Sequence, residues 1–305
     1  MQTPQTQDCS APLPLQTVPL LEFLWLEVTK RCNLACQHCY VQSSPSAELT
    51  GTMTEQDWIG LIGEARDVGC KGVQFIGGEP LLHPSFQTLL RAAHASGMDV
   101  EVFTNATFLK EDVADLFREL GTRVAVSVYA EDADTHDRVT MRSGSHAATE
   151  KGIRNLVDRG VKVRVGVIEQ GENADRIDQA LAYVRSLGVT EVGVDHVRAV
   201  GRGERDGSTG WKEDPMAALC GQCYKGRLAV DINGDSFPCV FGRAFPTGNV
   251  HAGLRPILEG LPLSSFSAEM IARQPKVDDD SCDPKEICRP NCHPGYCQPK
   301  CAPNH

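Results

Sequence analysis

Phe23-Leu24-Trp25-Leu26-Glu27-Val28-Thr29-Lys30-Arg31-Cys32-Asn33-Leu34-Ala35-Cys36-Gln37-His38-Cys39-Tyr40 decides how the rest of the chain is read. Its first part is an apolar, β-prone run that reads as a buried strand. From Lys30 onward it becomes a polar loop with three cysteines spaced C-x3-C-x2-C. Further apolar, β-branched runs follow at Val73–Ile76, Met98–Phe103, Val124–Val128, Val161–Ile168 and Glu191–Val197. Helical patterns lie between them. Thr54, followed by acidic Glu55 and Asp57, opens one that Gly69 closes, and others run over Pro84–Ser96, Lys110–Leu120, Ala147–Arg159 and Asn173–Leu187. These end on Gly97, Gly121, Gly160 and Gly188, the residue type that most easily takes the left-handed position past a helix. Strands alternating with helices imply right-handed βαβ units and a parallel sheet. Six such units fall short of an eight-stranded barrel. The expected α/β fold is therefore an open, partial (β/α)6 TIM-type barrel or a doubly wound sheet. In either, chemistry sits at the C-terminal ends of the strands.

The 305-residue chain carries a formal charge of −10 and no basic run, so it lacks the electrostatic footprint of a nucleic-acid or anionic-membrane binder. No stretch reaches the roughly 18 apolar residues of a membrane span. Residues 1–20 have neither a basic n-region nor a continuous apolar core, and read as a flexible tail rather than a secretory signal. A cytoplasmic location is expected. Thirteen cysteines in such a chain point to metal rather than disulfides, because the cytosol keeps thiols reduced and the count is odd. One group is Cys32, Cys36 and Cys39; the other lies between Cys220 and Cys301. Three soft ligands on one short loop suit a 4Fe–4S cluster with one iron left open. A zinc knuckle completed by His38 is the alternative. Cys70, at a helix end, reads as a small buried residue, and Cys9 is left over in the tail.

This arrangement resembles the radical S-adenosylmethionine (radical SAM) superfamily. The family's C-x3-C-x-aromatic-C signature is present directly after the first strand, with His38 in the aromatic slot. The second strand ends in Gly77-Gly78-Glu79-Pro80, similar to the family's GGEP motif, in which a backbone edge and the Glu bind the methionine amino group. Two glycines there are expected to let the backbone approach the ligand closely, and Glu79 is expected at an open strand end. The resemblance further implies SAM contacts at Thr104 and Asn105 after the third strand, at Ser127 on the fourth, and at Arg142. Ile168 and the stretch to Asn173 match the element that packs near adenine. His196, Arg198 and Arg202 follow the sixth strand as further candidates for the substrate or SAM side.

Residues 201–210 are rich in glycine and charge and read as a linker. Beyond them, Cys220-x2-Cys223 precedes two short strand patterns joined by Asn233-Gly234, a type I′ hairpin signal that brings Cys223 near Cys239. The spacing Cys223, Gly234, Cys239 resembles the opening of a SPASM/twitch auxiliary-cluster domain. Cys282, Cys288 and Cys292 resemble a later part of that pattern, with Asp279 standing where a further cysteine is expected. Cys297 and Cys301 complete the eight cysteines that two fully ligated 4Fe–4S clusters require. By analogy, one auxiliary cluster takes Cys220, Cys223, Cys239 and Cys292, the other Cys282, Cys288, Cys297 and Cys301. A zinc-bound tail is the alternative. The implied domains are a tail (1–20), a radical SAM core (21–204) and a small Cys-rich SPASM/twitch-like domain of hairpin and loops (205–305).

The resemblance implies three 4Fe–4S clusters and S-adenosylmethionine, cleaved reductively to a 5′-deoxyadenosyl radical that abstracts hydrogen from substrate. It further implies oxidative modification or crosslinking of a ribosomally made peptide. A dehydrogenase or epimerase acting on an aminocyclitol, sugar or nucleoside is the second hypothesis, and a non-catalytic iron–sulfur or zinc scaffold the third. No G-x-G-x-x-G opens a helix, so an external flavodoxin or ferredoxin is the expected electron donor. With the catalytic strand starting near residue 23, a peptide substrate is expected to need a separate leader-peptide recognition protein or direct docking.

Overall fold

The computed structural model describes residues 21–206 and 214–273, together with two short paired strands at Cys292–His293 and Tyr296–Cys297. Six strands come in the expected places: β1 (Phe23–Thr29), β2 (Gly72–Gly77), β3 (Asp99–Phe103), β4 (Arg123–Val128), β5 (Val163–Glu169) and β6 (Glu191–His196). Each pairs in parallel with the next, in the order of the sequence. A doubly wound sheet reverses its strand order at a switch point; this one does not, and β6 remains at the sheet's edge. The architecture is a partial (β/α)6 barrel.

The helices are α1 (Glu55–Asp67), α2 (Phe86–Ala95), α3 (Glu111–Leu120), α4 (Ala133–Thr140), α5 (Ser145–Asp158) and α6 (Ile177–Ser186). Thr54 caps α1 as expected, its hydroxyl accepting from Asp57 N at 3.2 Å while the Asp57 carboxylate accepts from Thr54 N at 2.9 Å. Two elements depart from the sequence reading. Helix α4 has no apolar stripe to announce it, because its buried face is largely Thr135, His136 and Thr140. Helix α6 starts four residues after Asn173, whose side chain instead brackets the loop. Its amide donates to Tyr129 O (2.5 Å) and Ile168 O (2.9 Å), and its Oδ1 accepts from Gln170 N (2.7 Å).

The second part of the chain extends the same sheet. Strand β7 (Arg227–Val230) pairs in parallel with β1, and β8 (Asp235–Phe237) and β9 (Gly248–Asn249) follow antiparallel. The β7–β8 turn is not type I′, since Gly234 (φ +81°) is left-handed and Asn233 is not. Gly234 N donates to Asp231 O at 2.9 Å, and Asp231 Oδ1 accepts from the amides of Asn233 and Asp235. A type I turn closed by a left-handed glycine results, with Asp231 supplying the side-chain bonds. Helices α7 (Leu254–Leu258) and α8 (Leu261–Ala272) complete this part.

Alternation along β1 divides the core. Leu24, Leu26 and Val28 join the large cluster under the helices, while Trp25 faces the barrel interior with Ile76, Ala229 and, from α8, Phe266 and Met270. Burial on both faces explains why β1 reads as a nearly continuous apolar run. No helix among the described residues is long and apolar enough to cross a membrane.

Candidate functional site

The cysteine loop leaves β1 at the strand's C-terminal end and is tied down along its length. Cys32 N donates to Ser44 O at 3.1 Å, while Ala35 N and Gln37 N donate to Thr140 O (3.2 Å) and Val139 O (3.0 Å), carbonyls at the C-terminal end of α4. Arg202 closes the far side. Its Nε donates to Cys36 O at 2.8 Å and its Nη2 to Ser43 O at 2.7 Å. Residues 201–206, read from sequence as linker, are thus a 3₁₀ turn (Gly201–Asp206) holding the loop from behind.

The glycines of Gly77-Gly78-Glu79-Pro80 serve the same loop. A Cβ on Gly77 (φ +129°) would stand 2.3 Å from Thr29 O, and one on Gly78 2.2 Å from Arg31 O. Gly78 N and Glu79 N donate to those two carbonyls at 2.7 and 2.9 Å. The close approach seen here is to the root of the cysteine loop, and both glycines also line the cavity described below. Glu79 is not at an open strand end: it is fully enclosed. Its carboxylate accepts from Thr104 Oγ1 (2.7 Å), Leu81 N (3.2 Å) and Asn105 N (2.8 Å), joining the ends of β2 and β3. Asn105 carries the connection onward, its Nδ2 donating to Asn33 Oδ1 at 2.8 Å and to Cys32 Sγ at 3.5 Å.

A cavity of about 250 Å³ opens at these strand ends. Cys32, Cys36 and Cys39 line it, with Gly77, Gly78, Thr104, Asn105, Ser127 and Ile168. Cys220, Cys223 and Cys239 line the same cavity, although nearly two hundred residues separate Cys32 from Cys220. Arg142 lies outside it, exposed, with Nη1 donating to Asn33 O at 3.1 Å. Pro80 is buried behind the wall. His196 and Arg198 stand at the rim: Nδ1 of His196 meets Glu169 Oε2 at 3.0 Å, and Arg198 pairs with Asp195 at 2.8 Å. Sequence reasoning passed over Tyr129, directly after β4, whose hydroxyl bonds to the Cys36 thiol and to Ser127. An aromatic residue immediately beyond a strand's C-terminal end was the available signal. Gln74 and Arg164, with Glu101, were also passed over. Arg164 makes a two-pronged bond to Glu101 at 2.7 and 2.8 Å, and it and Gln74 line the cavity.

The thiols fit an iron–sulfur cluster. Burial pushes Cys36 up to about 12 and Cys32 higher still, so without a cation both stay protonated. Yet N–H donors already point at the sulfurs: Leu34 N at 3.4 Å to Cys32 and Ser43 N at 3.3 Å to Cys39. Such donors favour charged, metal-bound sulfur. Among the described residues, no three His, Cys, Asp or Glu side chains converge on one ion position. Three soft thiols on one short loop have the donor chemistry of an iron–sulfur cluster. His38 turns its ring toward Tyr129. Its ring lies 5.0 Å from that of Tyr129, its Nδ1 is enclosed without a partner, and burial pushes it down to about 4.

On the distal side, Cys223 and Cys239 bring their sulfurs within 3.0 Å, and Cys220 bonds to Cys223. Mutual thiol bonding and burial hold Cys223 well above the ordinary range. Cys292 pairs in backbone register with Cys297. Cys9, Cys282, Cys288 and Cys301 lie outside the described residues. Cys70 is buried, with Sγ donating to Gly72 O at 3.3 Å, away from the cavity.

Comparison with known proteins agrees with this geometry. The radical SAM superfamily matches residues 26–195, more than half the chain. The chain belongs to the radical SAM superfamily. The antilisterial bacteriocin subtilosin biosynthesis protein AlbA of Bacillus subtilis is 28% identical over 269 residues, covering 78% of this chain and 58% of AlbA. The Fe-coproporphyrin III synthase of Methanosarcina barkeri is 26% identical over 179 residues, covering 58% of this chain and 44% of that protein. The chain thus spans about half the length of these two relatives. Among solved structures, Streptococcus suis SuiB bound to S-adenosylmethionine superposes with a TM-score of 0.67 at 16% identity, covering 90% of this chain and 73% of SuiB. That likeness carries the fold of the radical SAM domain and of the part that follows it.

Proposed function

We propose that this chain is a radical SAM enzyme of SPASM/twitch type that oxidatively modifies or crosslinks a ribosomally synthesised peptide. The observation that carries this reading is the single cavity lined by both cysteine groups. Hydrogen abstraction and removal of the remaining electron can then occur at one substrate position. When bound, the first cluster and S-adenosylmethionine supply a carbon radical able to take hydrogen from an unactivated C–H bond. Cys32, Cys36 and Cys39 hold that cluster. The backbone of Gly77 to Pro80, fixed by Glu79, and Thr104, Asn105, Ser127 and Ile168 form the SAM side, with Arg142 outside on the loop. Cys220, Cys223 and Cys239 hold an auxiliary cluster with Cys292, and Cys282, Cys288, Cys297 and Cys301 hold a second. The similarity to AlbA favours a peptide, since it covers a longer share of the chain than the radical SAM match does.

A small-molecule substrate is the second reading, favoured by the relative named as a coproporphyrin synthase. An external flavodoxin or ferredoxin supplies electrons, a separate protein can present a peptide leader, and the thiol-rich chain works in the reducing cytoplasm. The test is anaerobic reconstitution with S-adenosylmethionine and reductant, followed by mass spectrometry of short peptides encoded beside the gene. Formation of 5′-deoxyadenosine with loss of paired hydrogens from a peptide is expected. Turnover of small molecules alone would move the reading to the second hypothesis.

A further inference from the structure

Five aromatic rings run outward from the cysteine loop in unbroken file. His38 lies 5.0 Å from Tyr129 between ring centroids, Tyr129 5.2 Å from His136, and His136 5.3 Å from His146. His146 stacks on Tyr183 at 5.2 Å with the planes 22° apart. The rings come from the loop after β1, the end of β4, and helices α4, α5 and α6, so only the tertiary fold assembles them. At the inner end, Tyr129 lines the cavity. At the outer end, half-buried Tyr183 donates its hydroxyl to Glu150 Oε2 at 2.8 Å.

Packing alone does not call for this composition. Enclosed imidazole nitrogens without partners cost free energy that Leu or Phe would not. Yet His136 is 1% exposed with Nδ1 unpartnered, and Nε2 of His146 is likewise enclosed without a partner. Burial pushes His136 down to about 4, which keeps the ring neutral at physiological pH. A neutral π system is retained where an aliphatic side chain would pack at lower cost.

We propose that this file of rings is an escape route that carries an oxidising equivalent from the cavity to Tyr183 at the surface. It rests on the radical chemistry proposed above. A carbon radical that has missed its substrate takes the hydrogen atom of the Tyr129 hydroxyl. The O–H bond breaks, a C–H bond forms and a phenoxyl radical remains. This is downhill, because a phenolic O–H bond is weaker than the C–H bond of an alkyl group. An electron then passes from Tyr183 through His146 and His136 to Tyr129. Tyr183 gives its proton to Glu150, and Tyr129 regains one from solvent in the cavity. The external one-electron reductant restores Tyr183, which takes its proton back from Glu150. The net result is one carbon radical, one electron and one proton combined into a C–H bond, with the cluster and backbone spared.

The test uses the reconstituted holoenzyme with S-adenosylmethionine and dithionite and no substrate. Samples are frozen at intervals for EPR of tyrosyl radicals, and 5′-deoxyadenosine is measured in the same samples. Wild type should give a short-lived tyrosyl signal. Tyr183→Phe and His146→Leu should hold the signal at Tyr129 and lengthen its life several-fold. Tyr129→Phe should remove it and cut the number of turnovers before inactivation several-fold. Iron content and circular dichroism equal to wild type exclude a folding effect; should His146→Leu not fold, Tyr183→Phe carries the test. Formation of 5′-deoxyadenosine without any tyrosyl signal overturns the route alone. So does a Tyr183→Phe signal that decays as in wild type. If no 5′-deoxyadenosine forms, the catalytic reading fails and the route falls with it.

Discussion

Glu79 shows how one side chain can tie two strand ends together. It is fully enclosed, and burial pushes its carboxyl from an ordinary 4.5 up to about 7, against the pull of the bonds from Thr104, Asn105 and Leu81. The folded protein therefore holds this proton more tightly than the unfolded chain. The resulting stabilisation is complete below pH 4.5 and is lost as pH rises through about 7. The Tm of the wild type should fall across that window relative to Glu79→Gln, whose slope should be flatter. At pH 5 the Gln variant should lose about 1–3 kcal/mol and bind S-adenosylmethionine more weakly, because its amide NH₂ cannot accept from the Asn105 N–H, and this deficit should shrink as pH rises. Equal melting profiles would refute this. The cysteines make a sharper case. Cys32, Cys36 and Cys39 changed together to Ala should abolish 5′-deoxyadenosine formation while distal iron stays bound, since each site uses its own thiols. Retained cleavage in the triple variant would sink the assignment.

At the scale of the element, the cysteine loop is held by the backbone of β2 in front and by Arg202 behind. Gly78→Ala would set a Cβ against Arg31 O at 2.2 Å and Lys30 O at 2.8 Å, both backbone atoms with little room to yield. We expect this variant to fold and to lose about four irons per chain, those of the first cluster. Full iron content in Gly78→Ala would show that the loop tolerates the shift. Arg202→Ala removes charged bonds to Cys36 O (2.8 Å) and Ser43 O (2.7 Å). Bonds of this kind contribute about 1.5–3 kcal/mol each. The variant should melt lower and release iron to a chelator faster than wild type, whereas Arg142→Ala, exposed on the loop's outer side, should change release much less.

For the whole molecule, the continuous sheet matters most. Because β7 pairs with β1, the distal cysteines are carried to the cavity by the strand next to the one that launches the first cluster loop. Anaerobically reconstituted protein should hold roughly 12 irons, from three four-iron clusters. Zinc in the distal sites would leave only about four irons. Truncation after Asp280 should lose both distal clusters, since the first is expected to borrow Cys292. Unchanged iron and sulfide after truncation would refute the two-auxiliary-cluster assignment.

The sequence by itself determined the alternation of six strands and five of the six helices between them, because apolar periodicity, helix caps and closing glycines are local properties of the chain. It also determined the cysteine loop and the Gly77-Gly78-Glu79-Pro80 turn, whose residues are neighbours along the backbone. Only the tertiary structure decided what those residues touch. The glycines of the turn serve the approach of β2 to the cysteine loop, and Glu79 is walled in by Thr104 and Asn105. Helix α4 was hidden because its buried face is largely Thr135, His136 and Thr140, which leaves no apolar stripe for periodicity to report. Arg164 and Glu101 lie on different strands, and only the folded sheet brings them together as a buried pair. The stack from His38 to Tyr183 had no local signal at all. Periodicity reports which face of an element is buried; which other element covers that face depends on contacts across the chain, and those form only when the sheet curls.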